Sequence, residues 1–119
     1  MLWPEFARAY NGRGSAYDEE GKLDLALADY IQTIRLDPKF AYGWANRALI
    51  EARRKDFKSA LADYDTALQL DPQNDWALYG RGVTKSWSGD KAGAAADLAA
   101  ATKDDPGVAQ SYAGIGIKP

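Results

Sequence analysis

Apolar residues recur along this chain at helical spacing, and short runs of turn residues interrupt them at regular intervals. The pattern predicts helices throughout. It places one set of helices over 5–19, 41–54 and 75–88, and a second set over 23–36, 57–70 and 91–103. Between the members of each pair lie "EEGK", "RKD" and "SGD". There Gly21 and Gly89 suit a left-handed turn, and Asp56 and Asp90 are placed to cap the helix that follows.

The interruptions are periodic. Pro38, Pro72 and Pro106 lie 34 residues apart, and Pro4 falls one step earlier on the same lattice. Units 7–40, 41–74 and 75–108 then align Tyr10 with Trp44 and Leu78, and Ala26 with Ala60 and Ala94. They also align Tyr30 with Tyr64 and Leu98. Each unit reads as a helical hairpin, with Trp44 expected between helices. The repeated Leu-Asp-Pro closes one hairpin and opens the next, the proline being expected in the first turn of the new helix. Arg13, Arg47 and Arg81 precede Asp29, Asp63 and Asp97 by a constant sixteen residues, a spacing that predicts one recurrent ion pair inside every hairpin. The third unit carries "KAGAAADLAAA", which has little bulk and predicts the loosest packing. After Pro106 a fourth unit begins, and Ala109, Tyr112, Ala113 and Gly116 keep helical spacing, so a capping helix is expected over about 107–116. Leu2-Trp3-Pro4 aligns with Leu36-Asp37-Pro38, as though the chain entered an array part-way.

Composition narrows what such an array can do. At 119 residues, 46% apolar and 27% charged, the chain is expected to be a single soluble domain over 1–119. A net charge of −2 supplies no field to gather nucleic acid or an anionic membrane, so neither is expected as a partner. Cysteine and histidine are both absent, which removes disulfides, thiolate and imidazole chemistry and nearly every zinc site. No apolar run is long enough for a membrane span and "MLWPEFARAY" lacks the features of a signal peptide, leaving the cytoplasm as the default location.

Several stretches imitate chemical motifs. "GRGSAY" from Gly12 has Tyr17 where a dinucleotide fingerprint needs its third glycine, and no strand precedes it. "GRGVTKS" from Gly80 has Thr84 where a phosphate loop needs glycine, so it reads as helix packing. Asp18-Glu19-Glu20 and Asp104-Asp105 read as solvated helix ends. The basic run Arg53, Arg54, Lys55 and Lys58 reads as charge complementing a helix C-terminus. No catalytic, cofactor-binding or metal-binding residue is expected, and the chain is read as no enzyme.

A 34-residue period bearing these residues resembles the tetratricopeptide repeat over about residues 4–108. The early aromatic is Tyr10 or Trp44, and the small residue four positions on is Gly14, Ala48 or Gly82. The second-helix alanine is Ala26, Ala60 or Ala94, and the terminal proline is Pro38, Pro72 or Pro106. The resemblance implies an all-α, right-handed α-solenoid of three helix-turn-helix hairpins plus a C-terminal capping helix. It also implies a concave groove, lined by the first helix of each hairpin, that accepts a peptide or a partner helix. Carried onto this chain, the groove residues are Asn11, Tyr42, Leu49, Arg53, Trp76, Tyr79, Val83 and Trp87. Trp76, Tyr79 and Trp87 form a second apolar face on their helix and are expected to be open to a partner with an apolar and a basic portion. Some members clamp a C-terminal carboxylate with basic residues and asparagines. Asn11 and Asn46 match two of the asparagines, but Trp76 and Gly80 stand where basic residues would be needed. The alternatives are self-association through the same aromatics and a helper domain within a larger protein.

Overall fold

The chain reverses direction by two devices that alternate along it, and these set the positions of seven helices among the described residues. A computed structural model describes residues 4–119, with α1 (Pro4–Glu19), α2 (Leu23–Leu36), α3 (Ala41–Arg53), α4 (Phe57–Leu70), α5 (Asp75–Ser88), α6 (Lys91–Asp104) and α7 (Val108–Gly114). No strand occurs among the described residues. Leu2 and Trp3, which the register aligns with Leu36 and Asp37, lie outside them.

The first device ends α1, α3, α5 and α7. One residue adopts a left-handed conformation, and the next backbone N–H reaches back five residues: Lys22 to Tyr17 (2.8 Å), Asp56 to Glu51 (2.9 Å), Asp90 to Lys85 (2.8 Å) and Ile117 to Tyr112 (3.0 Å). The left-handed residues are Gly21, Gly89 and Gly116, with Lys55 taking the same role at φ 65°. Asp56 and Asp90 cap α4 and α6 by accepting from the backbone N–H of Ser59 and Gly93. Asn74 caps α5 in the same way through Ala77, which the sequence reading did not anticipate.

The second device explains the recurring Asp-Pro and corrects its expected role. Only Pro4 lies inside a helix; Pro38, Pro72 and Pro106 sit in the turn that precedes one. Phe40, Asn74 and Val108 each donate a backbone N–H to the carbonyl of Asp37, Asp71 or Asp105 at 3.1 Å, closing a four-residue turn with proline second. The aspartate Oδ1 also accepts from the N–H of Lys39, Gln73 or Gly107. Fixed φ at the second position and an aspartate at the first are what such a turn needs.

Packing follows the repeat. α3 touches α1 on one side and α5 on the other to form an inner layer, and α2, α4 and α6 each pack between their own first helix and the next one. The result is an all-α solenoid, 42 × 27 × 26 Å. Close approach inside a hairpin depends on the small residue of the first helix, since a Cβ at Gly14 would lie 2.7 Å from Tyr30 Cε1. Each hairpin is pinned by its ion pair: Arg13–Asp29 at 2.7 Å, Arg47–Asp63 at 2.8 Å and Arg81–Asp97 at 2.8 Å. Trp44 is only half-buried. It packs beside the core, donates Nε1–H to the Pro38 carbonyl at 2.8 Å and lies under the Arg47 guanidinium.

Candidate partner-binding groove

The inner face is held together by polar ties between neighbouring first helices. Asn46 Nδ2 donates to Asn11 Oδ1 at 2.9 Å, and Trp76 Nε1 donates to Asn46 Oδ1 at 3.0 Å, so one chain of hydrogen bonds crosses α1, α3 and α5. Arg53 pairs with Asp18 across the same layer, both side chains being largely buried. A charge pair removed from water on both sides is costly to break, because removing one partner strands the other. On the exposed surface Arg54 pairs with Asp24, so two of the four basic residues of that run face acids.

Beside the Arg53–Asp18 pair lies a cavity of about 720 Å³. Its walls mix charge (Glu19, Lys55) with apolar surface (Leu23, Phe57, Trp87), and Ile115, Gly116 and Ile117 form one side. That volume lies within the range of ordinary ligand sites, roughly 300–1,000 Å³. Among the described residues no group of three or more acidic side chains is gathered as a metal site. No described helix is long and apolar enough to cross a membrane. The two motif imitations lie within α1 and α5, where helical backbone leaves no loop to cradle a phosphate.

Two tetratricopeptide repeat family models match the chain, one over residues 11–75 and the other over residues 51–115. The chain belongs to the tetratricopeptide repeat family. Among solved structures it is similar to the first TPR domain of human RPAP3, at 24% identity and a TM-score of 0.82, covering 96% of this chain and 92% of that one. It also resembles the first TPR of Spaghetti (RPAP3) bound to the HSP90 peptide SRMEEVD, at 23% identity and TM-score 0.81, over 97% of this chain and 94% of that one. A third similarity is to the TPR2B domain of yeast Sti1 in a pHsp70 complex, at 25% identity and TM-score 0.78, over 94% of this chain and 97% of that one. No curated protein matches.

The first helices expected to line a groove form one layer, but the part that α5 contributes to it, its third stripe (Trp76, Tyr79 and Val83), is not open. Leu49 (1% exposed), Tyr79 (6%) and Val83 (1%) are buried with Tyr112 and Ile117 from α7 and the segment after it. Trp76 is half-buried and stacks on Tyr112 with ring centroids 3.9 Å apart, while Tyr112 donates its hydroxyl to the Trp76 carbonyl at 2.6 Å. The second apolar face of α5 is thus covered by the chain itself, because a large aromatic on α7 fits against it. Burial accordingly pushes the Tyr112 hydroxyl well above its usual pKa. Asn11 and Arg53 are committed to polar ties, Tyr42 is exposed, and Trp87 stands at the cavity edge. Sequence reasoning missed the inter-helix ties. Their signal was present, since both Asn11–Asn46 and Asp18–Arg53 are separated by 35 residues, one period plus one.

Proposed function

We propose that this chain is a protein-interaction module whose inner face holds a peptide segment of a partner protein, a role that needs no catalytic residue. The observation that carries the reading is the cavity of about 720 Å³, to which α1, α3 and α5 bring Glu19, Arg53 and Trp87 and the adjoining turns and second helices bring Lys55, Leu23 and Phe57, so that it offers both apolar surface and charge. Trp87 at the cavity edge and the exposed Tyr42 are the residues a partner meets first, while Arg53 and Asn11 take part with their ties to Asp18 and Asn46 in place. Leu49, Trp76, Tyr79 and Val83 join the site only where α7 and its following segment give way.

The ligand class differs from the acidic peptide seen with the Spaghetti domain. Trp76 and Gly80 supply no positive charge, and Asn46 is already engaged by Trp76 and Asn11. Titration of the purified chain with the peptide SRMEEVD and with a peptide of mixed basic and apolar composition tests this. The second should bind, and Trp87→Ala should weaken it about tenfold or more, the loss expected of one aromatic anchor. Preference for SRMEEVD, or indifference to Trp87→Ala, would contradict the assignment. Self-association is the second reading, supported by Leu25 (49% exposed) and Ile31 (44%) on α2. A sedimentation coefficient that rises with concentration would favour it.

A further inference from the structure

The left-handed residues that end α1, α3 and α5 follow the 34-residue period, at Gly21, Lys55 and Gly89. The fourth falls at Gly116, seven residues and about two helical turns ahead of that register. The chain therefore leaves the helical path early and turns back across the inner face. Ile117 enters the apolar cluster of Leu49 and Val83 and keeps only 4% exposure. On either side of it two groove side chains bind the main chain: Arg53 Nη2 donates to the Ile115 carbonyl at 3.2 Å, and Trp87 Nε1 donates to the Lys118 carbonyl at 2.8 Å.

This is the way a groove holds an extended peptide. Donors fixed on the wall take main-chain carbonyls whatever the sequence, and a pocket between them selects one side chain. We propose that residues 115–118 are an internal occupant of the partner groove. The partner it fits is an extended segment of the pattern apolar, small, apolar, basic that displaces them. The inference rests on the groove reading above and adds the ligand's chemistry and a built-in competitor to it. The basic residue at the end of the pattern is Lys118 itself, whose carbonyl Trp87 holds, beside a wall that carries both Glu19 and Lys55. Because the internal segment is tethered, it competes at an effective concentration on the order of millimolar, and apparent affinity for a free peptide falls by the fraction of molecules that are open.

The test uses a fluorescein-labelled peptide AGIGIKP, residues 113–119, titrated by anisotropy into the full chain and into its Ile117→Asp variant. The variant places a charge in an apolar niche and expels the internal segment, so the peptide should bind it about tenfold tighter or more. Adding Trp87→Phe, which keeps an aromatic ring but removes the N–H donor, should reverse most of that gain. Equal affinity for the two chains overturns the proposal, as does absence of binding to a variant whose helical circular dichroism is intact. Should Ile117→Asp fail to fold, the wild-type chain is titrated with unlabelled peptide instead. There the Trp87 indole N–H and the Ile117 methyl resonances must move together, and a static Ile117 under saturating peptide overturns the proposal. Peptides of other composition that bind both chains equally would leave the groove reading standing and remove the internal occupant. Failure of every peptide on both folded chains would remove both.

Discussion

The second and third hairpins carry the same arginine–aspartate bridge but complete their surroundings differently. In the second, Glu51 lies near Asp63, and one of its carboxylate oxygens is buried without a hydrogen-bond partner. Burial, then hydrogen bonding to Asp63 and that residue's charge, push the Glu51 carboxyl up to about 8. In the third, Lys85 occupies the equivalent position and bridges Asp97 at 2.9 Å. Burial works against the Asp97 charge, yet Arg81 and Lys85 outweigh it and hold the carboxyl below its usual range. The sources of bulk differ too. The second hairpin buries its own Tyr64, whereas α6 buries only Ala94, Asp97 and Ala101, and α7 and the segment after it deliver Val108, Tyr112 and Ile117 to the space that remains. The period fixes where helices and bridges fall. What sits at the variable positions decides how charge is balanced and which element fills the core.

The largest effect should come from removing residues 107–119. It uncovers Leu49, Tyr79, Val83 and Ala101, and losing a buried tyrosine, valine and isoleucine should cost about 5 kcal/mol or more, much of a small domain's stability. Urea unfolding would show it, and a midpoint near wild type would mean the third hairpin is self-sufficient. Next, Tyr79→Ala should cost about 3 kcal/mol, since that ring is buried against Tyr112 with centroids 5.0 Å apart. A change under about 1 kcal/mol, the size of a surface substitution, would restore the open face that the sequence suggested.

Trp44→Ala should cost about 2 kcal/mol, below the range for a fully buried aromatic, because the side chain is only partly buried. The smallest effect tests the charge contrast directly. A carboxyl raised in the folded state from 4.5 to about 8 favours folding fully below pH 4.5, and that contribution is lost as pH rises to about 8. Glu51→Gln should flatten this slope. Glu51→Lys, which copies the third hairpin, should stabilise the chain near pH 8 by on the order of 1 kcal/mol, a modest figure because Glu51 keeps solvent contact that screens the pair. Thermal midpoints at pH 4, 6 and 8 measure both.

Most of the fold was legible because its signals are local and repeated. Apolar spacing placed all six hairpin helices to within one residue, and the sixteen-residue spacing gave all three Arg–Asp bridges. The prolines were misplaced by a few residues because Asp-Pro serves a turn as readily as a helix start, and only the backbone bond from Phe40 to Asp37 separates the two. The groove was legible as a set of helices but not as a surface. Its third stripe is closed by a segment that breaks the period at Gly116, and a reading built on the period cannot see where that segment goes.

The central claim is that residues 108–118 close the third stripe of the inner face. Isotope-edited NMR of the intact chain tests it most directly. The account predicts ring-to-ring Overhauser contacts between Trp76 and Tyr112, whose centroids are 3.9 Å apart, together with slow exchange of the Trp87 indole proton bonded to the Lys118 carbonyl. Absence of those contacts, with a freely exchanging Trp87 indole in the folded chain, would show that the groove stands open and would contradict the account.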